Sequence, residues 1–523
     1  MGMVACAQRI ASAFMVFWGP HGTVSRLAQQ RGVSRQRVYR ESDWVLAQLT
    51  GTAAEQEVRR MRQRIQELEE HQDELQRQLA DAVVVDADKQ SELASVGQAI
   101  GVSLPQVREL LEVLKPGRAP SVATLGRWTR EAGQRAGALL EVWDGYAHPR
   151  VREALADEIY VRDPVLMIVE PESLYWATGR LRKRPELTRS AWSQELGTLS
   201  ELEQLTTDAG MSLQRGIHEL NAQRQAAGRT IVVHQLDHFH ALREGGGVLA
   251  GMEKKARGLL GIAVRLHARC AWRQRRGQRV TEWRNRARAA QQRADRAIQQ
   301  WAEVGQLWDK VKQALPLITP EGKLNTRARA EAILAEILPR LPETFARSKR
   351  CLQQKRIFTY LDQVERQLQA LPVPPALREA AVRQEALRRR PELWRSSSQK
   401  AVVLQGIFLA YAVVLQKAGA MGEQALQGVR TIFRQARRAS SLVECINSAL
   451  RMQQARHRKM TQGMLDLKRL YWNSHHFRTG RRRGRCPYEL LGIPGPGTNH
   501  WWEILKWSPE QLTEKLSANC LAA

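Results

Sequence analysis

Cysteine is scarce in this chain. Its six cysteines, Cys6, Cys270, Cys351, Cys445, Cys486 and Cys520, lie far apart, and no C-x-x-C pair occurs. That spacing argues against a disulfide framework or a zinc ribbon and agrees with a reducing cytosol. Long apolar runs are also missing. The most apolar stretch, Ala401 to Gln416, falls short of the roughly 20 residues that cross a bilayer and contains Gln405. It is expected to be a buried core helix. Near the start, "ACAQRIASAFMVFWG" is broken by Arg9 and lacks a good cleavage site, so a secretory signal is not expected. Acidic residues are in the minority. Against 53 Asp and Glu stand 81 Lys and Arg, for a net charge of +28 and a pI near 10.6. Such an excess calls for a polyanionic partner, because neutralising phosphates releases counterions. A ribosome-like or membrane-surface role is the alternative.

With 523 residues the chain exceeds the roughly 250–300 residues over which one core grows, so several domains are expected. Residues 1–50 carry a helix-turn-helix pattern. Leu27 and Ala28 open an apolar stripe, Gly32 makes the turn, and Val33, Val38 and Tyr39 continue the packing side. The second helix then presents Arg35, Gln36 and Arg37 to a DNA major groove; an ordinary helical hairpin would share the pattern. Residues 51–88 form a long helix with Val58, Met61, Ile65, Leu68, Leu75 and Leu79 at coiled-coil-like spacing, broken at His71. Residues 89–148 repeat the helical design as a second DNA-binding module, with Gly101 at a turn, Ser103 as a cap and Pro105 early in the next helix.

The texture changes near Ala156. "DEIYVRDPVLMIVEPESLYWATGR" reads as two or three adjacent strands with a hairpin at Arg162-Asp163-Pro164. A helix over Ser190–Leu196 follows, then a short strand leading into Asp208, a helix, and the strand "TIVVHQLDHF". Residues 249–428 read as helical and very basic, interrupted at Pro372, Pro374 and Pro375. The fold class expected is multidomain α plus α/β. Its core occupies residues 149–248 and 429–478, with 249–428 inserted, and residues 479–523 form a basic, Pro/Gly-rich tail expected to be extended.

Three acids stand at informative places: Asp157 on the first strand, Asp208 at the end of a later one, and Glu444 on a helix far downstream. Gathered by a fold, they would hold two divalent cations about 3.5–4 Å apart, an arrangement suited to phosphoryl transfer. Mg²⁺ fits, accepting oxygen ligands and leaving positions for substrate phosphates, and Mn²⁺ can substitute. Asp237 is the rival for the second acid and Asp163 for the first, although Asp163-Pro164 reads better as a turn. His234, His238 and His240 fall on alternate positions of the last strand, a pattern open to zinc. Leu442, Ile446, Ala449 and Leu450 make an apolar face of the Glu444 helix, with Glu444, Asn447, Ser448 and Arg451 on another.

The stretches "ADEIYVRDPVLMIVEPESL", "LTTDAGMSLQRGI", "SSLVECINSALR" and "LDLKRLYWNSHHFRTGRRRGRCPYELLG" together resemble the DDE transposases of bacterial insertion sequences. The resemblance implies a ribonuclease-H-like core, metal-dependent cleavage of element ends and strand transfer. It also implies double-stranded DNA as partner, a homodimer or higher assembly on DNA, and a bacterial cytoplasmic, nucleoid-associated location. Members carry a Cys-x-x-His pair on the later strand, which Asp237-His238-Phe239-His240 resembles with Asp replacing Cys. A basic residue seven positions after the glutamate contacts phosphate in some members, and Arg451 has that spacing, whereas Arg437 and Ser440 match the motif only partly. Arg458, Lys459, Arg481, Arg482 and Arg483 are further candidate DNA contacts, and Trp272, Trp283, Trp301 and Trp308 are either core residues or stacking platforms for a base. A transposase-derived DNA-binding protein without catalysis is the alternative.

Overall fold

A computed structural model describes residues 2–49, 52–81, 84–390, 398–454, 459–495 and 500–522. The chain divides into two compact units, residues 1–89 and 90–523. The first contains α1 (Met3–Trp18), α2 (Thr23–Arg31), α3 (Arg35–Leu49) and α4 (Thr52–Asp81). Gly32 closes the α2–α3 turn at φ 61°, a left-handed conformation that suits glycine. Val24, Ala28 and Val38 form the small core beneath it. On α4, Met61, Ile65, Leu68 and Leu75 are exposed, so the heptad-like stripe faces solvent.

The second unit opens with α5 (Ala87–Ile100), whose first turn straddles the division, then α6 (Leu104–Leu114) and α7 (Val122–Ala147). Ser103 caps α6 in a capping box, and Ser121 caps α7 by accepting from Thr124 N–H. The long α7 contributes Leu139, Leu140 and Trp143 to the core under the sheet.

That sheet has five strands, β1 (Glu153–Val161), β2 (Asp163–Val169), β3 (Trp176–Leu181), β4 (Gln204–Thr207) and β5 (Val233–Leu236), in the order β3-β2-β1-β4-β5. The first three are antiparallel neighbours, while β4 pairs parallel to both β1 and β5. The β1–β2 hairpin turns at Arg162, where φ is 83°. Helices α8 (Arg189–Gly197) and α9 (Met211–Ala226) connect β3 to β4 and β4 to β5, as right-twisted parallel strands require of a crossover. Side chains alternate across β1. Ala154 and Ala156 join α7, α8 and α9 on one face; Leu155 and Ile159 join the later helix α18 (Val443–Gln454) on the other.

Between β5 and α18 lies a helical array: α10 (His238–Arg275), α11 (Thr281–Ala314), α12 (Arg327–Ile337), α13 (Ala346–Leu352), α14 (Thr359–Gln369), α15 (Pro375–Arg388), α16 (Gln399–Lys417) and α17 (Gly419–Gln435). Its core includes Trp308, Phe345, Tyr360 and Val429. After α18 come α19 (Gln462–Ser474), α20 (Pro487–Leu490) and α21 (Pro509–Ala522).

Three expectations change. Helix α16 is not a buried core helix; most of its apolar side chains are exposed, and it is long and apolar enough to cross a membrane by length and composition. The described residues of 479–523 are not extended. Tyr488 stacks on Trp143 at 4.0 Å between ring centroids, and Leu512 and Leu516 are buried, so aromatic and aliphatic burial outweighs the Pro/Gly content. The last strand ends at Leu236, and α10 begins at His238 because Asp237 caps it. His234, His238 and His240 therefore do not share a strand face.

Candidate metal centre

Strand alternation places Asp157 on the α18 side of the sheet, with Leu155 and Ile159. Glu158, one position on, points the other way and accepts from Trp192 Nε1 and Ser212 Oγ. On α18, Val443, Ile446 and Leu450 pack against the sheet at helical spacing, which carries the neighbouring Glu444 to the rim of the same face. Asp208 follows the last residue of β4 and accepts from Gly210 N–H at 2.9 Å. Next to it, Asp237 follows β5 and donates its own N–H to Thr207 O at 2.7 Å.

Asp157, His240 and Glu444 can each direct one ligand atom into a space where those atoms lie within 4.8 Å of one another. Asp237 sets the histidine. Its Oδ1 accepts from Phe239 N–H at 2.6 Å, while its Oδ2 meets His240 Nδ1 and Ser440 Oγ, both at 2.7 Å. Holding Nδ1 leaves Nε2 for the shared space. The bond to Asp237 raises the His240 pKa, and the charges of Asp157 and Asp208 add to it. Burial pushes the Asp157 carboxyl up to about 6, helped by the negative charge of Asp208, and burial likewise raises Asp208.

The donor set fits a divalent cation. It is rich in carboxylate oxygen, its charges repel one another, and Asn447 adds an observation independent of charge. Asn447 Nδ2 donates to Asp157 Oδ2 at 3.0 Å, whereas its buried Oδ1 has no partner among the described residues. An orphan buried acceptor beside clustered acids suits a hydrated metal ion, whose waters donate hydrogen bonds.

The sequence-derived residues are distributed as follows. Asp157 and Glu444 come together. Asp208 lies close enough for its charge to act on Asp157, but it is outside the group of three just described. Asp237 is buried and both its oxygens are occupied. Asp163 begins β2 at the hairpin. Arg451 Nη1 donates to Glu444 Oε2 at 3.0 Å, and Arg243 lies 3.8 Å from the same carboxylate. His234 meets Thr207 Oγ1 and Arg356, and His238 meets Ile357 O, so these two histidines are engaged away from His240.

Among the DNA-contact candidates, Arg35 lies 3.6 Å from Glu69 and 4.0 Å from Asp73, Gln36 is exposed, and Arg37 is exposed beside Glu41. Lys459 is exposed, and Arg458 lies outside the described residues. Arg481 reaches Glu172, Arg482 donates to the carbonyls of Pro171 and Glu172, and Arg483 is exposed. Trp308 is core, while Trp283 is flanked by Arg269 and Arg273 at 4.7 and 4.8 Å.

The apolar face of α18 differs from the expected one: Asn447 is buried with Val443, Ile446 and Leu450. A polar residue three positions after Glu444 was the available signal. His240 was visible as the last residue of an Asp-x-x-His spacing and as one of three histidines at alternate positions, but neither pattern joined it to Asp157 and Glu444.

Comparison with protein-family models, curated proteins and solved structures gave no match.

Proposed function

We propose that this chain is a DDE-type transposase with a ribonuclease-H-like core. The observation that carries the reading is the convergence of three remote acids on one end of a β3-β2-β1-β4-β5 sheet. Asp157 sits on the central strand, Asp208 follows its parallel neighbour, and Glu444 comes from a helix packed on the same face. Asp157 and Glu444 would hold a divalent cation with Asp208 at its flank, and the bound ions would supply Lewis acidity to phosphoryl transfer. Asn447 fixes the Asp157 carboxylate. His240, held through Nδ1 by Asp237, would turn its Nε2 to the same space. Arg243 and Arg451, which neutralise Glu444 here, are placed to turn to the DNA backbone when a cation takes the carboxylate. The helix-turn-helix of residues 1–50 supplies recognition of element ends, with double-stranded DNA as partner and a bacterial cytoplasm as location. The net charge of +28 supports a polyanionic partner.

The test is incubation with Mg²⁺ and a supercoiled plasmid carrying the DNA that flanks this chain's own coding sequence. Cleavage and strand transfer are expected, and Glu444→Ala should abolish both while DNA binding persists. Cutting by the Glu444→Ala protein would end the catalytic assignment. Binding without cutting by the wild type would leave a DNA-binding protein that has lost its chemistry.

A further inference from the structure

Helix α16 combines a packed side and an open side. Ala401 and Leu415 are buried and Tyr411 packs on the core of the helical array, so one side is already satisfied by the protein. On the open side Val402, Val403, Leu409, Val413 and Val414 are each between 47% and 61% exposed, and Ile407 is 41% exposed. From Ala401 to Gln416 there is no charged residue, in a chain of net charge +28. An apolar patch of this kind on a highly charged molecule marks an interface.

The order of residues points to the occupant. About a midpoint at Phe408 the open side is nearly palindromic: Ile407 mirrors Leu409, Gly406 mirrors Ala410, Val403 mirrors Val413, and Val402 mirrors Val414. Beyond them Lys400 mirrors Gln416 and Gln399 mirrors Lys417. A two-fold axis that lays one helix antiparallel on its copy carries each position to the height of its mirror. Valine then meets valine and the small pair Gly406 and Ala410 lets the backbones approach at the centre. Each terminal lysine stands across from a glutamine, so like charges do not meet. Two molecules of charge +28 repel, and an uncharged face is where they can approach at least cost.

We propose that α16 is a self-association surface, through which two copies of this chain pair antiparallel about a two-fold axis at Phe408. The pairing does not depend on the catalytic reading. A bilayer is a poorer occupant, because a spanning helix meets lipid on all sides and α16 already lies against α15 and α17.

The test is sedimentation velocity on the full-length, nuclease-treated protein. Wild type should associate, with a species near twice the 59.4 kDa chain mass. Val403→Glu should weaken that step by on the order of a hundredfold, as an unpaired charge in an apolar contact does. The double variant Val403→Glu, Val413→Lys should restore it, because in the antiparallel register each glutamate faces a lysine. The circular dichroism spectrum should be unchanged, both side chains being on the open side. A wild type that stays monomeric overturns the proposal, as does one that floats with neutral phosphatidylcholine vesicles. Association unaffected by Val403→Glu places the contact elsewhere, and a double variant that remains dissociated rejects the antiparallel register.

Discussion

Asp157 is an acid buried at a cost to the fold. Its ordinary pKa of 3.8 is raised to about 6 by burial and by the charge of Asp208. The proton therefore stabilises the folded chain at acid pH. That contribution is complete below pH 3.8 and is lost as pH rises through about 6, where the buried carboxylate must ionise. At pH 7.5 without metal, Asp157→Asn should raise stability by up to about 3 kcal/mol, taking a shift of roughly two pKa units. Its Tm should rise accordingly in differential scanning calorimetry. Mg²⁺ or Mn²⁺ should raise the Tm of wild type and leave that of Asp157→Asn nearly unmoved; an equal metal response in both would remove Asp157 from the ligand set. The type and position of Asp157 were legible from the sequence, as an acid inside a β-branched run. Its neighbour Glu158 was equally acidic and equally placed, and only the pleat separates them by sending one to each face.

At the scale of elements, the junction of β5 and α10 decides the histidine. A run with His at alternate positions reads as strand, yet Asp237 caps α10 by accepting from Phe239 N–H and starts a helix one residue later. His240 is thereby placed on a helical turn, three residues from Asp237, where the two side chains meet. Asp237→Ala would strip partners from Phe239 N–H, His240 and Ser440 together. The expected cost is about 2–4 kcal/mol in urea unfolding, and NMR titration should find the His240 pKa lowered, since its largest raising influence is gone. An unchanged His240 titration would show that the neighbouring acids, rather than Asp237, set its charge. Helix α16 teaches the converse. Apolar content alone suggested burial, but the neighbouring helices cover only one side of it, and composition does not say how much of a helix its neighbours cover.

At the scale of the whole molecule, the proposed function assigns DNA recognition and chemistry to different units. Residues 1–89 form a compact unit of their own, and every residue of the acidic centre lies within 90–523. A chain lacking residues 1–89 should keep its metal-dependent rise in Tm and lose preference for element ends, measured by competition between end-bearing and random duplexes. Persisting preference would move recognition into the second unit, where α5 to α7 would be the place to look. The basic character of that second unit should still give it non-specific DNA affinity that falls steeply with salt.

The sequence by itself determined the local features: where turns fall at Gly32 and Gly101, where Ser103 caps a helix, and the order of three strands, helix, strand, helix, strand. These follow from backbone sterics, capping and short-range periodicity, which neighbouring residues settle among themselves. Tertiary structure alone decided which acids meet. Glu444 lies hundreds of residues from Asp157, and it reaches the site because Val443, Ile446 and Leu450 bury against one face of the sheet. The same long-range packing buried Asn447 beside Asp157, folded the C-terminal segment onto Trp143 and left one side of α16 open. Burial is a property of whatever lies opposite a side chain, and that partner is supplied by distant parts of the chain.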